Sequence, residues 1–186
     1  MVGMRGLWIP IVLSAVIVFF TSFIIHMVLP WHKGDYPPVP DEDKLMDALR
    51  PFNLAPGDYM VPRPKGPADM KTPEFKAKME RGPKVVMTVM PNGSGGMGAS
   101  LAQWFVYLLV VSAFSALIGG RSMHAGTDWH HVFHMIAVVA FLGYVPALWQ
   151  MTIWYRRGLM LTVRASIDGL IYAAITGGVF VWLWPR

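Results

Sequence analysis

The chain contains no cysteine. This absence excludes disulfide bonds, thiolate metal sites, iron–sulfur clusters and covalent attachment of haem through cysteine. Charge is also scarce: charged residues make up 15% of the chain, whereas a soluble domain carries about 25%. The deficit is concentrated in long apolar runs, which indicates a protein built for the lipid bilayer.

Four apolar runs are long enough to cross a roughly 30 Å hydrocarbon core as helices. They predict spans over residues 7–29, 101–120, 131–155 and 165–185. Pro146 lies inside the third run, where its ring predicts a kink. We therefore predict an all-α membrane protein with four transmembrane helices, the first within residues 1–29 and the other three within residues 100–186.

The segment 30–99 differs in kind, because it holds most of the 15 prolines and nearly balanced charges. Asp41 and Thr72 are placed to cap two short helices, and "KVVMTVM" favours a strand. "PNGSGGMGAS" is expected to be a flexible lead into the second span. The sequence therefore predicts a Pro-rich extramembrane cap over residues 30–99, between the first and second transmembrane helices.

The basic excess of this +5 chain lies at the ends of the apolar runs. That distribution suits anionic lipid headgroups and control of topology, and it does not predict a nucleic-acid partner. Arg156, Arg157 and Arg164 border the connection between the third and fourth runs. Together with the lysines near the cap ends, they favour a cytoplasmic cap and chain termini on the outer side.

The stretch "TDWHHVFHM" holds the candidate metal ligands of the chain. His130 and His134 are four residues apart, so they share one face of a helix; His131 lies nearly on that face and Asp128 just before it. Imidazole and carboxylate groups suit copper, zinc or iron. The competing interpretation is a set of hydrated interfacial histidines beside Trp129 that bind nothing. We predict no catalytic residues, and the cofactors we name are limited to copper, zinc or iron; haem with a single histidine ligand stays open.

A haem held by two histidines is not expected. His26 is the one histidine in another span, at the end of the first helix, and His32 lies further towards the cap side. The 130–134 cluster begins the third helix on the opposite side, about 20 Å away by helix rise. Asp168, at the start of the fourth span, is expected to pair with Arg164 one turn earlier.

Small residues at four-residue spacing form two stripes on the fourth span. Gly169, Ala173 and Gly177 make one, and Ala174 and Gly178 make the other. Such faces let helices approach closely in lipid. They predict packing within the bundle, with oligomerisation as the second possibility.

Several stretches carry a family resemblance: "GLWIPIVLSAVIVFF", "PDEDKLMDALR", "PGDYMVP" and "DGLIYAAITGGVFVWLWP". Together they resemble a family of small, uncharacterised bacterial four-span integral membrane proteins. The resemblance covers most of the chain. It implies four helices and a location in the bacterial inner membrane, but it brings no activity and no catalytic residues.

These observations favour a non-enzymatic, multi-pass membrane protein. The expected role is that of a structural or accessory subunit, whose partners are the lipid bilayer and either further copies of itself or other membrane protein subunits. The alternative is a metal-binding or redox membrane protein that uses the histidine cluster. A small-solute transporter built around Pro146 and Asp168 is the third hypothesis.

Overall fold

The computed structural model describes residues 1–93 and 95–186, and the chain divides into two compact units. The first unit is Met1–Pro37 with Gly96–Arg186, and the second is Pro38–Gly95. Residues 30–37 and 96–99, which the sequence assigned to the cap, thus belong with the long helices. Ser94, in the predicted flexible lead, lies outside the described residues.

The helices and strands follow one another along the chain with short connections. In order they are α1 (Trp8–Phe23), α2 (Glu42–Leu49), β1 (Gly57–Val61), α3 (Pro73–Arg81), β2 (Val85–Val89), α4 (Gly98–Ser122), α5 (Trp129–Tyr144), α6 (Trp149–Tyr155) and α7 (Leu159–Leu183). A π-helical turn, Ile24–Val28, extends α1, and a 3-10 turn, Pro146–Leu148, joins α5 to α6.

Four helices of the first unit are long and apolar enough to cross a membrane. They are Trp8–Val28, Gly98–Ser122, Trp129–Tyr155 and Leu159–Leu183. Each overlaps one of the four predicted spans, so the predicted helical architecture is confirmed at this level. The composition and length of these helices are those of a multi-pass membrane protein.

The fourth long helix begins earlier than predicted. It starts at Leu159, and the connection before it is the short stretch 156–158. The polar residues around Arg164 suggested a longer connection, but their side chains are accommodated within the helix. The Ser166 hydroxyl, for example, donates to the carbonyl oxygen of Thr162 at 2.7 Å.

The predicted kink at Pro146 is confirmed. Helix α5 ends at Tyr144, and the chain passes through the 3-10 turn before α6 begins at Trp149. Proline has no N–H and its ring excludes the carbonyl of Leu142, so the helix cannot continue through it. The break leaves Tyr144 and Val145 at the end of α5, packed against α7.

The first small-residue stripe of α7 packs within the bundle, as predicted. A Cβ atom built on Gly169 would lie 2.4 Å from Val145 Cγ2, and one on Gly177 would lie 3.0 Å from Phe133 Cδ2. Ala173, between them, is buried. A side chain at either glycine would press on side chains of α5, so α5 and α7 approach each other closely here.

The long helices enclose two apolar clusters. One contains Leu108, Tyr144 and Tyr172, and the other contains Val132 and Phe180. Buried hydroxyl groups also join the helices, since the Ser14 and Ser112 side-chain oxygens lie 3.0 Å apart across α1 and α4.

The second unit contains α2, α3 and a two-stranded antiparallel sheet. Strand β1 pairs with β2 in a register that places Gly57 opposite Val89 and Val61 opposite Val85. The predicted caps are present: Asp41 accepts from Lys44 N at 3.0 Å and Thr72 Oγ1 accepts from Phe75 N at 3.2 Å. The strand over "KVVMTVM" is also present, as β2.

Candidate functional site

Two irregular turns at the end of α1 bring a pair of histidines together. The π-helical turn contains His26, and a 3-10 turn that begins at Pro30 ends at His32. The two imidazole rings stack with their centroids 4.3 Å apart and their planes 9° from parallel.

The buried carboxylate of Asp168 joins this pair from α7. Asp168 is only 3% exposed. Its Oδ2 accepts from His32 Nε2 at 2.9 Å, and its Oδ1 accepts from Trp31 Nε1 at 3.1 Å. The contact therefore ties the end of the first long helix to the start of the fourth.

The predicted pair between Arg164 and Asp168 does not form, and this prediction is corrected. Arg164 Nη1 instead donates to Asp35 Oδ1 at 2.5 Å, and its guanidinium lies 5.8 Å from the centre of the Trp31 ring. Asp35 reaches it because the chain turns back after α1. Arg164 does not pair with Asp168, the nearer carboxylate in sequence, because the Asp168 side chain is turned towards His32 and Trp31.

His32 lies between two carboxylates. Its Nδ1 contacts Asp35 Oδ2 at 2.6 Å while its Nε2 contacts Asp168 Oδ2. Both nitrogens donate when the ring is protonated. The His32 hydrogen bond, with that from Arg164, holds the pKa of the Asp35 carboxyl below its usual range against the opposing effect of burial.

His26, His32 and Asp168 together form what we call the His–His–Asp group. Each offers one ligand atom, and these atoms all lie within 4.8 Å of one another. Metal-binding histidines usually donate their second ring nitrogen to a carboxylate or a backbone carbonyl. His26 Nδ1 does so to Ser22 O at 3.0 Å and His32 Nδ1 to Asp35, so Nε2 is the nitrogen of each ring that a metal would take.

Binding of a metal requires a small rearrangement of these side chains. Ligand atoms around a tetrahedral zinc lie about 3 to 3.5 Å apart. The two rings are almost parallel, so one of them must rotate before both nitrogens can point at a single ion. The ion would also replace the contact between His32 and Asp168.

A large apolar cavity of about 770 Å³ lies beside the His–His–Asp group. His26 and Asp168 line it, together with aromatic rings from four helices, α1, α4, α5 and α7. Trp104 stacks on Tyr107 with centroids 5.4 Å apart, and Tyr144 meets Tyr172 edge-on at 5.7 Å. We call it the aromatic cavity.

Two tyrosine hydroxyls lie behind the surface of the cavity wall, inaccessible to water and without a hydrogen-bond partner in the structure. They belong to Tyr144 and Tyr172, which are 7% and 4% exposed. The Thr176 hydroxyl donates to the backbone oxygen of Tyr172 at 2.8 Å and lies near the Tyr144 hydroxyl, from which it can still accept a hydrogen bond. Tyr172 is therefore the clearer case. An unsatisfied buried hydroxyl costs about 1–3 kcal/mol.

The predicted ligands of the third helix are not gathered in this way. His130 Nδ1 faces Asp128 Oδ1 at 3.2 Å, while His134 Nδ1 donates to the backbone oxygen of His130 at 2.7 Å. His131 is exposed. Across residues 1–93 and 95–186, the His–His–Asp group is the one such set of three with closely spaced ligand atoms. A metal at the 128–134 cluster stays a prediction without geometric support.

Sequence reasoning missed the pairing of the two histidines because it treated the region after α1 as leading away from the bundle. The signal was topological. The end of the first helix and the start of the fourth lie on the same side of a four-helix chain, so His26, His32 and Asp168 share one end. The turn at Pro30, which brings His32 back, has no clear sequence pattern.

The fold and the site define a helical protein with four membrane-length segments and a polar group at one end of an aromatic cavity. No known family model, curated protein or solved structure matches the chain.

Proposed function

We propose that this protein binds a divalent transition metal at the His–His–Asp group. The proposal rests on the hydrogen bonds that surrounding groups make to the three ligand residues, because these bonds orient the ligands. Asp35 orients His32, the backbone of Ser22 orients His26, and Trp31 orients Asp168. Two histidines and one carboxylate suit zinc, and they also match the ligand set of non-haem iron(II) sites.

Such a site has open coordination positions, because three protein ligands do not fill the shell of either metal. His26 and Asp168 also line the aromatic cavity. A metal there is accessible to a molecule in the cavity, which is the arrangement of a reactive site rather than of a closed structural one. The ion would further offset the desolvation of the buried Asp168 carboxylate.

Metal analysis of the purified protein tests the proposal. The protein is stripped with EDTA and reloaded with Zn²⁺, or with Fe²⁺ under anaerobic conditions, and the bound metal is measured by mass spectrometry. We expect one metal per chain. We expect this metal to be lost in His32→Ala and Asp168→Asn. Asp35→Asn should weaken the metal affinity about 10- to 100-fold, because Asp35 orients His32.

The chain supplies a matched control in its other histidines. The double variant His130→Ala/His134→Ala removes two imidazoles from the opposite end of the bundle and should retain the metal. Retention of metal in His32→Ala and Asp168→Asn, with loss in the control, would overturn the proposal in favour of the 128–134 cluster. Failure of folded wild-type protein to bind either metal would make the group a polar clamp between helices.

A second function, that of a subunit in a homo-oligomer or larger membrane assembly, is supported by the outer small-residue stripe of α7. Ala174 and Gly178 are exposed, and a Cβ on Gly178 would meet nothing within 4 Å. A small outward stripe permits close approach of another helix in lipid. Mass measurement in mild detergent of wild type and Gly178→Leu tests it: an assembly that persists in the variant would contradict the role of this stripe.

We also propose a location in the bacterial inner membrane, with the 156–158 connection in the cytoplasm. Support comes from the four membrane-length helices and from Arg156 and Arg157 at the end of α6. Positively charged residues next to spans are retained on the cytoplasmic side. The His–His–Asp group, formed by the end of α1 and the start of α7, would then lie at the cytoplasmic end of the bundle.

A further inference from the structure

Residues 30–37, which follow the π-helical turn of α1, cover the buried carboxylate of Asp168, and we call them the strap. We propose that the strap opens and closes over Asp168, and that its closure delivers His32 to a metal ion already held by His26 and Asp168. The inference rests on the metal binding proposed above and adds the route by which the ion enters and leaves. One arm of the test uses protein without metal, so the two proposals can fail separately.

The strap is held to the start of the fourth long helix by side-chain hydrogen bonds. In order along the strap, the pairs are Trp31 and His32 with Asp168, Asp35 with Arg164, and Tyr36 with Arg157. The partners follow one another in the opposite direction along the chain. The strap therefore lies antiparallel to the beginning of α7 and to the short connection before it.

The contacts of the strap are polar and largely exposed. None of its residues, all of which the structure describes, is fully buried, and none belongs to the apolar clusters of the bundle. Trp31 is 39% exposed and Tyr36 is 78% exposed. Segments with few buried apolar contacts and exposed hydrogen bonds are those that open most readily in a folded protein. The strap can therefore open while the helices of the bundle stay packed.

The strap lies on the side of Asp168 from which an ion can arrive. The other side is the aromatic cavity, whose wall includes exposed apolar side chains of membrane-length helices, such as Phe23 and Leu101. A divalent cation would lose hydration on that route before it reached the carboxylate. On the strap side, Trp31 Nε1 and His32 Nε2 engage both oxygens of Asp168. Opening of the strap frees both oxygens.

Opening also separates the two histidines, because His32 belongs to the strap while His26 belongs to the π-helical turn. An ion that enters the open site meets His26 and Asp168 first. Closure then adds His32, whose Nδ1 is oriented by Asp35. The nearly parallel rings fit this order, since the ring that must rotate towards the ion is then that of His32, on the movable segment.

The far end of the strap offers a variant that leaves every ligand in place. Tyr36→Phe removes the 3.1 Å hydrogen bond from Arg157 Nη2, which involves none of the three ligand residues. The bond holds the strap closed both with and without metal. Its loss should therefore raise the association and dissociation rates of Zn²⁺ by the same factor, about two- to fivefold for one exposed hydrogen bond, and leave Kd unchanged.

The rates are measured by stopped flow with a fluorescent zinc chelator, on the full chain in lipid nanodiscs. Tyr155→Phe is the matched control, because Tyr155 is an exposed tyrosine outside the strap and should give wild-type rates. Rates in Tyr36→Phe equal to those of wild type would overturn the inference. So would a weaker Kd with an unchanged association rate, because it would assign Tyr36 to the bound state alone.

A reversible cross-link tests the same movement in the opposite direction. The chain has no native cysteine, so Tyr36→Cys/Arg157→Cys can be joined by a bis-methanethiosulfonate whose spacer replaces the two long side chains. In Zn²⁺-loaded protein the link should abolish the release seen in wild type until a reductant cuts it. Tyr36→Cys capped with methyl methanethiosulfonate is the control and should still release Zn²⁺. Release that persists in the linked protein would overturn the inference.

Hydrogen exchange in EDTA-treated protein follows the strap without metal. Amides of residues 31–36 should exchange faster than those of α1 and α7, and about two- to fivefold faster again in Tyr36→Phe. Equal protection of the strap and these helices would overturn the inference even where Zn²⁺ binds. Absence of Zn²⁺ from folded wild type would overturn the metal proposal and with it the delivery of His32, whereas the exchange rates would still decide whether the strap opens over Asp168.

Discussion

The close contact between α5 and α7 yields the sharpest stability prediction, because α7 carries two glycines in opposite surroundings. An alanine at Gly169 would place its Cβ 2.4 Å from Val145 Cγ2 and 3.2 Å from Tyr144 Cβ. The first distance falls about 1 Å short of an ordinary carbon contact. An alanine at Gly178 would meet nothing within 4 Å.

The comparison isolates the packing term. Both substitutions gain the helix propensity of alanine over glycine, worth about 1 kcal/mol, and this gain cancels in the difference between them. What remains is the cost of overpacking at Gly169, about 1–3 kcal/mol. We therefore expect Gly169→Ala to be less stable than Gly178→Ala by that amount, although Gly169→Ala alone can be close to wild type.

Unfolding by sodium dodecyl sulfate in mixed micelles, followed by circular dichroism, measures the two free energies. Equal stability of the two variants would refute the inferred contact. A Gly178→Ala variant that is the less stable of the two would indicate that the outer stripe carries the tighter packing.

Three further predictions concern other parts of the first unit. Ser14→Ala and Ser112→Ala, combined in a double-mutant cycle of unfolding free energies, should show a coupling of about 0.6–2 kcal/mol, and no coupling would argue against the hydrogen bond between α1 and α4. The His130 N–H holds the pKa of its cap, Asp128, below the usual range. Hydrogen exchange should therefore show full protection of the His130 amide above about pH 3.9, and this protection should be lost only as the pH falls through the lowered pKa of Asp128. The protection should be missing in Asp128→Ala. In intact cells, a membrane-impermeant maleimide should label Ala125→Cys and spare Gly158→Cys, and the reverse pattern would place the 156–158 connection outside.

The sequence was sufficient to predict the long helices, because each requires only a continuous apolar run of membrane length. It also predicted local features with a local cause, such as the Pro146 break and the caps at Asp41 and Thr72. The partner of β2 was missed: Gly57–Val61 pairs with it across α3, and such pairing depends on distant residues. The predicted start of the fourth helix was wrong because the polar side chains near Arg164 are typical of a loop between two helices.

The candidate site shows the same division between local and distant causes. The 128–134 cluster is conspicuous because its histidines are neighbours in sequence, yet neighbours on a helix need a further ligand to close around an ion. The His–His–Asp group depends instead on two turns after α1 and on a residue more than a hundred positions away. Asp168 was singled out correctly as an ionisable residue in a span, but its partner was sought one turn away.

Irregular backbone supplies the last argument for a functional end of this bundle. Inside a bilayer, non-helical backbone is tolerated where it is buried in protein or lines a cavity, because lipid offers no hydrogen-bond partners. The π-turn of α1 contributes His26 to the cavity wall, and the 3-10 turn after Pro146 contributes Leu148. Both turns therefore contribute residues to a cavity that His26 and Asp168 also line, and this shared wall is where we expect a ligand of the proposed site to bind.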